Sequence, residues 1–576
     1  MTKKHTILTA INSKYIHSNL AVYCLRAYAK PYIDEVEIAE YTINQQVDDI
    51  LMSLYQKHPD ILCFSCYIWN LDYVEQLMDE YHKICPEVPI WVGGPEVSYE
   101  TEAFLKEHPQ VTGVMVGEGE ETFLELCESY AKAGIGEMAE KMNLSGIKGI
   151  MYRAGESLVK TGAREPLDLN RIPFCYGGVE DFRNRIIYYE SSRGCPFRCS
   201  YCLSSVEKTL RFRDVERVKK ELAFFLEQEV AQVKFVDRTF NCRHEHAMEI
   251  WKFLIEHDNG VTNFHFEISA DLLTDEEIAL IGQMRPGLIQ LEIGVQSTND
   301  ATITEIHRTM QLDRLKAVVR SIQEKENIHE HLDLIAGLPY EGYETFARSF
   351  DEIYALKPNQ LQLGFLKVLK GSYMYEHATE YGLIYRSRPP YEVLKTNWLG
   401  FGEILRIRQV EEMLEVYYNS GQYATAIRLL ETQYASAFAM FAELGTFYEE
   451  HGYFGMGHSR MRRAEILLEF AKERRPGVLP VLGEGLVYDL YERENLGSRP
   501  AWAADANEWK QMTRQYGKNG KQSHIERFFY RFSGHRQDTA SLPERLEDPV
   551  YVRFDYTRRD PLDHQAQHEY LEYSGE

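Results

Sequence analysis

Residues 191–205 read SSRGCPFRCSYCLSS and contain three cysteines in the spacing C-x₃-C-x₂-C. The apolar run of residues 186–190 just before them predicts a buried strand, so the cysteines lie in a loop at its end. Three thiolates can bind three irons of a 4Fe-4S cluster, which normally takes four cysteines, and the fourth iron then stays open to a substrate or cosubstrate. We therefore predict that Cys195, Cys199 and Cys202 are the metal ligands and the catalytic centre.

The other residues of this loop suit such a cluster. Gly194 allows close backbone approach, while Pro196 and Phe197 stiffen and desolvate the loop. Arg193 and Arg198 can offset cluster charge. The alternatives are a zinc knuckle or three unrelated buried thiols, but zinc would need a fourth Cys or His at close spacing, which the loop lacks.

With an aromatic residue, Tyr201, just before the last cysteine, the stretch resembles the signature of the radical S-adenosylmethionine (SAM) superfamily. The resemblance implies that the open iron binds the amino and carboxylate groups of SAM. It also implies that one electron from the cluster cleaves SAM to methionine and a 5′-deoxyadenosyl radical.

Composition narrows the class of protein. A chain of 576 residues predicts roughly three or four domains. We expect a cytoplasmic protein without membrane contact, because no apolar run could span a bilayer and the start of the sequence lacks a signal-peptide core. The ten cysteines are too scattered for a disulfide framework, and the net charge of −24 argues against a general nucleic-acid-binding surface.

Residues 1–140 alternate short apolar runs with helical patterns, which predicts a doubly wound parallel sheet with ligands beyond the carboxyl ends of its strands. The predicted strands are residues 5–10, 36–41, 61–65, 90–92 and 111–116. The loops after the last three contain the candidate cofactor-binding residues, because paired glycines allow close approach to a flat or phosphate-bearing ligand. These candidates are Ser65, Gly93, Gly94, Gly117 and Glu118.

This arrangement, upstream of the cysteine loop, resembles the cobalamin-binding domain of cobalamin-dependent radical SAM proteins. The resemblance implies bound cobalamin without a lower histidine ligand, because the D-x-H-x-x-G motif of histidine-ligated proteins is absent from the sequence. His17 lies in a loop from which its side chain could reach cobalamin as a ligand, but a solvated or capping histidine is the commoner interpretation. Cys63 and Cys66 fit buried small hydrophobic residues better than a redox pair.

A Gly- and Pro-containing linker with a small hairpin is predicted for residues 141–180. Residues 181–375 then resume the alternation and suit a partial (β/α)₆ radical SAM barrel, with chemistry at the carboxyl ends of its strands. The predicted strands are residues 186–190, 233–237, 263–269, 288–294, 331–336 and 360–365.

The ends of these strands resemble oxygen-independent coproporphyrinogen oxidase and its relatives residue by residue. Asp237 lies where relatives hold the SAM amino group through the backbone, and Glu267 suits a ribose hydroxyl or the SAM ammonium. By the same resemblance, Gln296 and Arg308 contact the ribose and the SAM carboxylate, and Asp333 is a further SAM-contacting acid. Each could instead be an ordinary strand-end, capping or surface residue.

Residues 376–576 predict a mostly helical C-terminal domain without a fixed repeat, ending in a strand near residues 551–556. The domain resembles the uncharacterised extension of a bacterial group of cobalamin-type radical SAM proteins. Cations interleave with four aromatic residues between residues 518 and 536, a pattern typical of single-strand nucleic-acid binding. Packing of those aromatics on the core is the commoner interpretation. The cations are Lys518, Lys521, Arg527, Arg531 and Arg536.

We therefore predict a radical SAM enzyme that uses a 4Fe-4S cluster, SAM and cobalamin to methylate an unactivated carbon. Its expected partners are a small-molecule substrate rather than nucleic acid, and an electron donor such as flavodoxin or ferredoxin. The alternatives are a cobalamin-dependent rearrangement or cyclisation, or a non-catalytic iron-sulfur redox sensor. A transfer-RNA methylthiotransferase would share the cysteines but would need a nucleic-acid-binding terminal domain, which the acidic chain does not favour.

Overall fold

The structure is a computed structural model that describes residues 4–132, 144–177, 184–206, 209–516, 522–533 and 541–571. The contacts within the chain define two compact units. The first consists of Met1–Ile289, Thr304–Met310 and Leu366–Thr396, and the second of Gln290–Ile303, Gln311–Phe365 and Asn397–Glu576.

The first unit begins with a seven-stranded sheet in the order β2-β1-β3-β4-β5-β6-β7. The first five strands are parallel, and the hairpin predicted within the linker adds the antiparallel edge strands β6 and β7. The strands are β1 (Thr6–Asn12), β2 (Val36–Thr42), β3 (Ile61–Ser65), β4 (Ile90–Gly93), β5 (Gly113–Met115), β6 (Ile150–Ala154) and β7 (Ser157–Lys160). The helices are α1 (Leu20–Tyr28), α2 (Val47–Gln56), α3 (Leu71–Ile84), α4 (Pro95–Ser98), α5 (Thr101–Glu107) and α6 (Glu120–Lys132).

Apolar residues cover both faces of this sheet, as expected for parallel strands between helices. Successive residues of β1 belong to two separate cores. Ile7 and Ile11 pack in the core that includes α2 and α3, whereas Leu8 and Ala10 pack in the core that includes α1 and α6. Ligands of this sheet are therefore restricted to the loops at the strand ends.

The strands after residue 186 again alternate with helices. In the first unit, β8 (Ile187–Tyr189), β11 (Gln232–Phe235) and β12 (Asn263–Ile268) pair in parallel in the order β12-β11-β8. Between β8 and β11, β9 (Ser192–Arg193) and β10 (Arg211–Phe212) form a short antiparallel ribbon beside the cysteine loop. The helices of this part are α7 (Val215–Glu227), α8 (His244–Glu256) and α9 (Asp275–Ile281).

In the second unit, three strands are parallel in the order β15-β14-β13. They are β13 (Ile289–Gln296), whose first residue still belongs to the first unit, β14 (His329–Ala336) and β15 (Gln360–Phe365). Their helices are α10 (Asp300–Glu305), α11 (Leu312–Gln323) and α12 (Tyr343–Tyr354). Buried and partly exposed residues alternate strictly along β13 and β14. Six strands with helices between them confirm the predicted half-barrel class.

The segment after β15 returns to the first unit with α13 (Tyr373–Glu376), β16 (Ile384–Tyr385) and β17 (Val393–Lys395). The remaining chain is mostly helical, as predicted. Its helices are α14 (Phe401–Leu414), which continues as a π-helix (Glu415–Asn419), α15 (Ala424–Glu431), α16 (Ala437–Glu450), α17 (Arg460–Arg474), α18 (Leu479–Arg493) and α19 (Lys510–Tyr516). No helix among the described residues is long and apolar enough to cross a membrane.

A three-stranded antiparallel sheet ends the chain, with β18 (Ser523–Phe528), β19 (Val550–Arg559) and β20 (Ala566–Leu571). It contains the candidate nucleic-acid segment. Phe528, Tyr530 and Phe532 are buried, and Arg527 forms an ion pair with Glu508. These three aromatics pack in the core, while Phe529 is partly exposed with the guanidinium groups of Arg527 and Arg545 over its ring. Within residues 522–533 the rings therefore form no exposed row for stacking bases. Lys518, Lys521 and Arg536 lie outside the described residues.

Candidate radical SAM and cobalamin site

The three cysteines lie on one loop of the first unit between β9 and β10. Cys199 is buried, whereas Cys195 and Cys202 are half-buried. The backbone N–H of Cys202 donates to the carbonyl of Cys199, which makes a tight turn between them. A Cβ on Gly194 would lie 2.5 Å from the carbonyl oxygen of Thr209, so only glycine fits where the loop passes the segment just before β10.

Polar groups surround the sulfurs. Nη1 of Arg308 lies 3.8 Å from Sγ of Cys199, and Oγ1 of Thr239 lies 3.7 Å from Sγ of Cys195. Burial raises the pKa of Cys195, an effect that the hydrogen bonds from Phe197 and Thr239 oppose. The Arg308 guanidinium thus places a positive charge beside the sulfur of Cys199, and the thiolate is the form of cysteine that binds iron.

Among the described residues, no three His, Cys, Asp or Glu side chains converge on the position of one metal ion. A 4Fe-4S cluster does not require its three ligands to meet at one point, because each thiolate binds a different iron and the sulfurs surround the cluster. Three cysteines on one turn, with a cation and a hydroxyl beside them, have the donor chemistry of that group.

Asp237 follows β11, as predicted, but its carboxylate serves the cysteine loop. It accepts hydrogen bonds from the backbone N–H and hydroxyl of Ser191 at 2.9 and 2.6 Å, and from the hydroxyl of Ser192 at 2.5 Å. Burial raises the pKa of Asp237 to about 6, although these hydrogen bonds lower it. The side chain thus fixes the start of the loop, and any contact to SAM is left to the neighbouring backbone.

Glu267 is partly exposed at the end of β12, on the same unit as the cysteines. Its Oε1 lies 3.9 Å from Nζ of Lys234, which projects from the adjacent strand β11. Arg308 also lies on this unit, close to Cys199. The structure therefore brings Arg308 to the cysteine loop and leaves Glu267 partly accessible at a strand end.

The two remaining SAM candidates lie in the second unit, at the carboxyl ends of β13 and β14. Gln296 has a left-handed backbone (φ 75°) at an irregularity in the pairing of β13 with β14. Its Oε1 is buried, and no described residue hydrogen-bonds to it. A buried amide oxygen in this state is suited to a donor on a ligand. Asp333 has its Oδ1 3.1 Å from Nε2 of His331 on the same strand.

Sequence reasoning missed Glu341, which is fully buried four residues after Gly337. Its Oε1 accepts hydrogen bonds from the hydroxyls of Ser297 at 2.6 Å and Ser349 at 2.9 Å. Burial raises its pKa to about 7. The carboxyl ties the loop after β14 to the residue that follows Gln296. The only signal in the sequence was an acid just after the G-L-P turn.

The candidate cobalamin residues lie at the carboxyl ends of β3 and β4 and in the loops that follow β4 and β5. The hydroxyl of Ser65 accepts a hydrogen bond from the side-chain amide of Asn19 at 3.1 Å. Gly93 ends β4, and Gly94 has φ 119°, with its Cβ position only 2.4 Å from the carbonyl oxygen of Cys66. Gly117 has φ 79° and open space around its Cβ position.

Glu118, the fifth candidate, is engaged elsewhere. Its carboxylate lies 2.5 Å from Nη2 of Arg211 and 3.1 Å from Nη1 of Arg193, and it accepts a hydrogen bond from the backbone of Leu167 at 2.8 Å. Burial raises its pKa, but the two guanidinium groups outweigh burial and lower it overall. Arg193 is thus paired with the carboxylates of Glu118, Glu120 and Glu190.

Two minor candidates are also placed. Nδ1 of His17 lies 2.6 Å from the hydroxyl of Tyr188, and burial, with the charges of Lys14 and other cations, lowers its pKa. This nitrogen is therefore engaged within the protein. Cys63 and Cys66 are buried with raised pKa values caused by burial, in agreement with their interpretation as small hydrophobic residues.

Three family models match the chain. The B12 binding domain matches residues 7–127, the radical SAM superfamily matches residues 189–353, and a protein of unknown function, DUF4080, matches residues 379–542. One region of the chain therefore matches the radical SAM superfamily, and the region before it matches the B12 binding domain. The chain's particular architecture adds the DUF4080 region after the radical SAM domain.

Curated relatives agree with this assignment. A cobalamin-dependent radical SAM methyltransferase, TokK of Streptomyces tokunonensis, is 27% identical over 350 residues, which are 56% of this chain and 49% of that protein. The anaerobic magnesium-protoporphyrin IX monomethyl ester cyclase of Rubrivivax gelatinosus is 23% identical over 330 residues, 55% of this chain and 58% of the relative. The chain matches about half the length of these relatives.

Solved structures share the fold. The radical SAM methyltransferase TsrM from Kitasatospora setae, with cobalamin and a 4Fe-4S cluster bound, superposes with a TM-score of 0.54 and 16% identity over 67% of this chain and 79% of that chain. The cobalamin-dependent SAM radical enzyme OxsB, with aqua-cobalamin and SAM bound, gives 0.57 and 14% identity over 84% of this chain and 79% of that chain.

Proposed function

We propose that the protein is an enzyme that reductively cleaves SAM at a 4Fe-4S cluster and uses cobalamin to methylate an unactivated carbon of a small molecule. The observation that carries this proposal is the cysteine loop itself. The loop contains three cysteines, one fewer than a 4Fe-4S cluster normally takes, and it belongs to the same compact unit as the B12-binding domain. When bound, the cluster supplies the electron that splits SAM, and cobalamin supplies the methyl group.

The chain's own residues bind, orient and shield these groups. In this proposal Cys195, Cys199 and Cys202 hold the cluster, and Asp237 fixes the start of their loop through two serines. The Arg308 guanidinium, beside Cys199, suits a carboxylate such as that of SAM.

Further SAM-binding candidates lie on strands of each unit. In the second unit, the buried Oε1 of Gln296 is suited to accept a hydrogen bond from a ribose hydroxyl. Glu267 in the first unit and Asp333 in the second are the acidic candidates for the ammonium or the ribose of SAM.

Cobalamin is proposed to bind at the carboxyl edge of the first sheet through the loops that contain Ser65, Gly93, Gly94 and Gly117. Backbone that carries no side chain there allows a large flat ligand to approach closely. The proposed domains are residues 1–140 for cobalamin, 141–180 as a linker whose hairpin β6–β7 extends the first sheet, 181–375 for the radical SAM core and 376–576 for the C-terminal region. The electron donor, such as flavodoxin or ferredoxin, and the cytoplasmic location stay predictions from the sequence.

A cyclisation or rearrangement is the second candidate, because one group of relatives consists of magnesium-protoporphyrin ester cyclases. Such chemistry would use the same cofactors without transferring a methyl group. A small-molecule substrate is supported by the relatives as well, since TsrM has been solved with tryptophan as substrate.

Anaerobic reconstitution with iron, sulfide and cobalamin, followed by SAM and a strong reductant, tests the proposal. Chromatography that detects both 5′-deoxyadenosine and S-adenosylhomocysteine would support methylation. 5′-Deoxyadenosine alone would favour rearrangement or cyclisation. The absence of both, in protein with a full cluster, would contradict SAM cleavage and favour a redox sensor.

A further inference from the structure

The short ribbon beside the cysteine loop presents two arginines to the B12-binding domain. Arg193 on β9 and Arg211 on β10 are direct partners in the antiparallel pairing. Both guanidinium groups meet Glu118, at 3.1 Å from Arg193 and 2.5 Å from Arg211. Arg193 stands two residues before Cys195, so this contact lies at the base of the loop.

Arg193 has two further acidic partners. Its Nη2 donates to Glu120 at 2.8 Å, and its Nε and Nη2 donate to the two oxygens of Glu190 at 2.9 and 2.8 Å. The guanidinium is therefore surrounded by three carboxylates, of which Glu118 lies in the loop after β5 and Glu120 begins α6. Arg211 also donates to the carbonyl of Leu167 at 2.6 Å.

This cluster differs from an ordinary surface ion pair, which stabilises little because water screens it. The side chains of Arg193, Glu118 and Glu120 are 21%, 15% and 7% exposed. Several charge-assisted hydrogen bonds from one planar guanidinium define its orientation as well as its distance. The Arg193 guanidinium therefore fixes the position of the cysteine loop relative to the loop after β5.

We infer that Glu118 and Glu120 act as a clamp that holds Arg193 and Arg211, and that Arg193 is a positioning residue for the cysteine loop. The G-E-G-E sequence after β5 then serves two purposes. Gly117 leaves room at the sheet edge for a ligand, while the two carboxylates fix the neighbouring cysteine loop instead of contacting cobalamin. The role of the clamp rests on the proposed function only in that the loop is taken to hold a cluster.

The full chain without cofactors offers the first test, by hydrogen exchange of peptides covering residues 191–205. Glu118→Gln removes the charge that faces both arginines, and exchange in these peptides should become about tenfold faster. The matched control is Arg164→Gln, because Arg164 pairs with Glu121 and Glu125 on the same helix α6 with only 10% of its side chain exposed. Equal exchange in the two variants would overturn the clamp.

Reconstituted protein gives the second test. Arg193→Gln and Glu118→Gln should both lower, by about tenfold, the fraction of reduced cluster whose electron paramagnetic resonance signal changes on adding SAM. Arg193→Lys keeps the charge but loses the forked geometry, so it should restore only part of that fraction. Cobalamin affinity of Glu118→Gln, followed by absorbance, should stay within about threefold of wild type.

The two variants separate positioning from simple electrostatics, because one removes a positive charge and the other a negative charge. Opposite shifts of the cluster's midpoint potential without loss of the SAM response would overturn the inference. A large loss of cobalamin affinity in Glu118→Gln would also overturn it and return Glu118 to the cofactor. Failure of the wild-type cluster to respond to SAM would instead contradict the proposed function, while the hydrogen-exchange result would stand.

Discussion

The strands of the B12-binding domain and those of the radical SAM domain bury their faces differently. All residues of β1 are buried, and alternate ones enter two separate cores. Along β13 and β14 only every second residue is buried, and the partly exposed positions between them include Glu292, Asp333 and Gln296. The first sheet can therefore offer a ligand only its strand ends, whereas the second region also offers a polar face.

The largest expected effect is confined to the radical SAM region and leaves the B12-binding region unchanged. Cys199→Ser should abolish the cluster and lower SAM cleavage by at least about 10³-fold, because one of three iron ligands is lost. Iron analysis and chromatography of 5′-deoxyadenosine measure this result. Cobalamin binding at the first sheet should persist. The control is Cys85→Ser, a half-buried cysteine outside the loop, and equal loss of iron in both variants would contradict the assignment.

Core truncations test the burial difference directly. Ile7→Ala and Leu8→Ala should each lower the free energy of unfolding by about 2–5 kcal/mol, because these two adjacent residues of β1 are both buried. On β15, Leu361→Ala should cost a similar amount, while the adjacent exposed Gln362→Ala should change it by less than about 0.5 kcal/mol. Denaturant titration monitored by circular dichroism gives these values. A large cost for Gln362→Ala would show that its face is packed core.

A smaller effect, the dependence of stability on pH, is expected from Glu341 in the radical SAM region. Burial raises the pKa of Glu341 from 4.5 to about 7, so the folded state favours the neutral acid. Its contribution to stability is full below pH 4.5 and is lost as the pH rises through 7, with an upper value of about 3 kcal/mol. Glu341→Gln stays neutral and keeps an acceptor for both serines, so the variant should gain relative stability across this range.

Parallel denaturation of wild type and Glu341→Gln between pH 4.5 and 8 measures the difference. Comparing the two proteins cancels the titration of other buried acids, such as Asp489, whose pKa burial raises to about 7. A stability difference that does not change with pH would show that Glu341 is ionised throughout and is stabilised by a group not yet identified.

The sequence predicted the fold class and the cysteine loop well, because both depend on local patterns. Alternating strands and helices define the α/β class, and the spacing of Cys195, Cys199 and Cys202 needs no knowledge of distant residues. Gln296 and Arg308 were selected by resemblance to relatives, and their role in binding SAM stays a prediction. Their backbone conformation and neighbours required the structure.

The sequence did not predict the hydrogen bonds and ion pairs between residues that are distant in the chain. Asp237 satisfies two serines some 45 positions earlier, and Glu118 meets Arg193 and Arg211 across 75 or more positions. Nothing in a local pattern distinguishes an acid that will find a distant partner from one that will face a ligand. The hairpin of residues 150–160 was predicted, but its place at the edge of the first sheet also depends on a nonlocal contact.

The smallest predicted effect concerns Gly117 and Gly94 at the edge of the first sheet. Gly117→Ala should cost only about 1 kcal/mol, because φ 79° strains a side chain but the space beside it is open. Gly94→Ala should cost more, because its Cβ would also lie 2.4 Å from the carbonyl oxygen of Cys66. If cobalamin occupies the space beside Gly117, this variant should weaken cobalamin binding far more than its stability cost explains, as measured by absorbance titration. Unchanged affinity would place the ligand away from this loop and leave the sheet edge near Gly94 as its site.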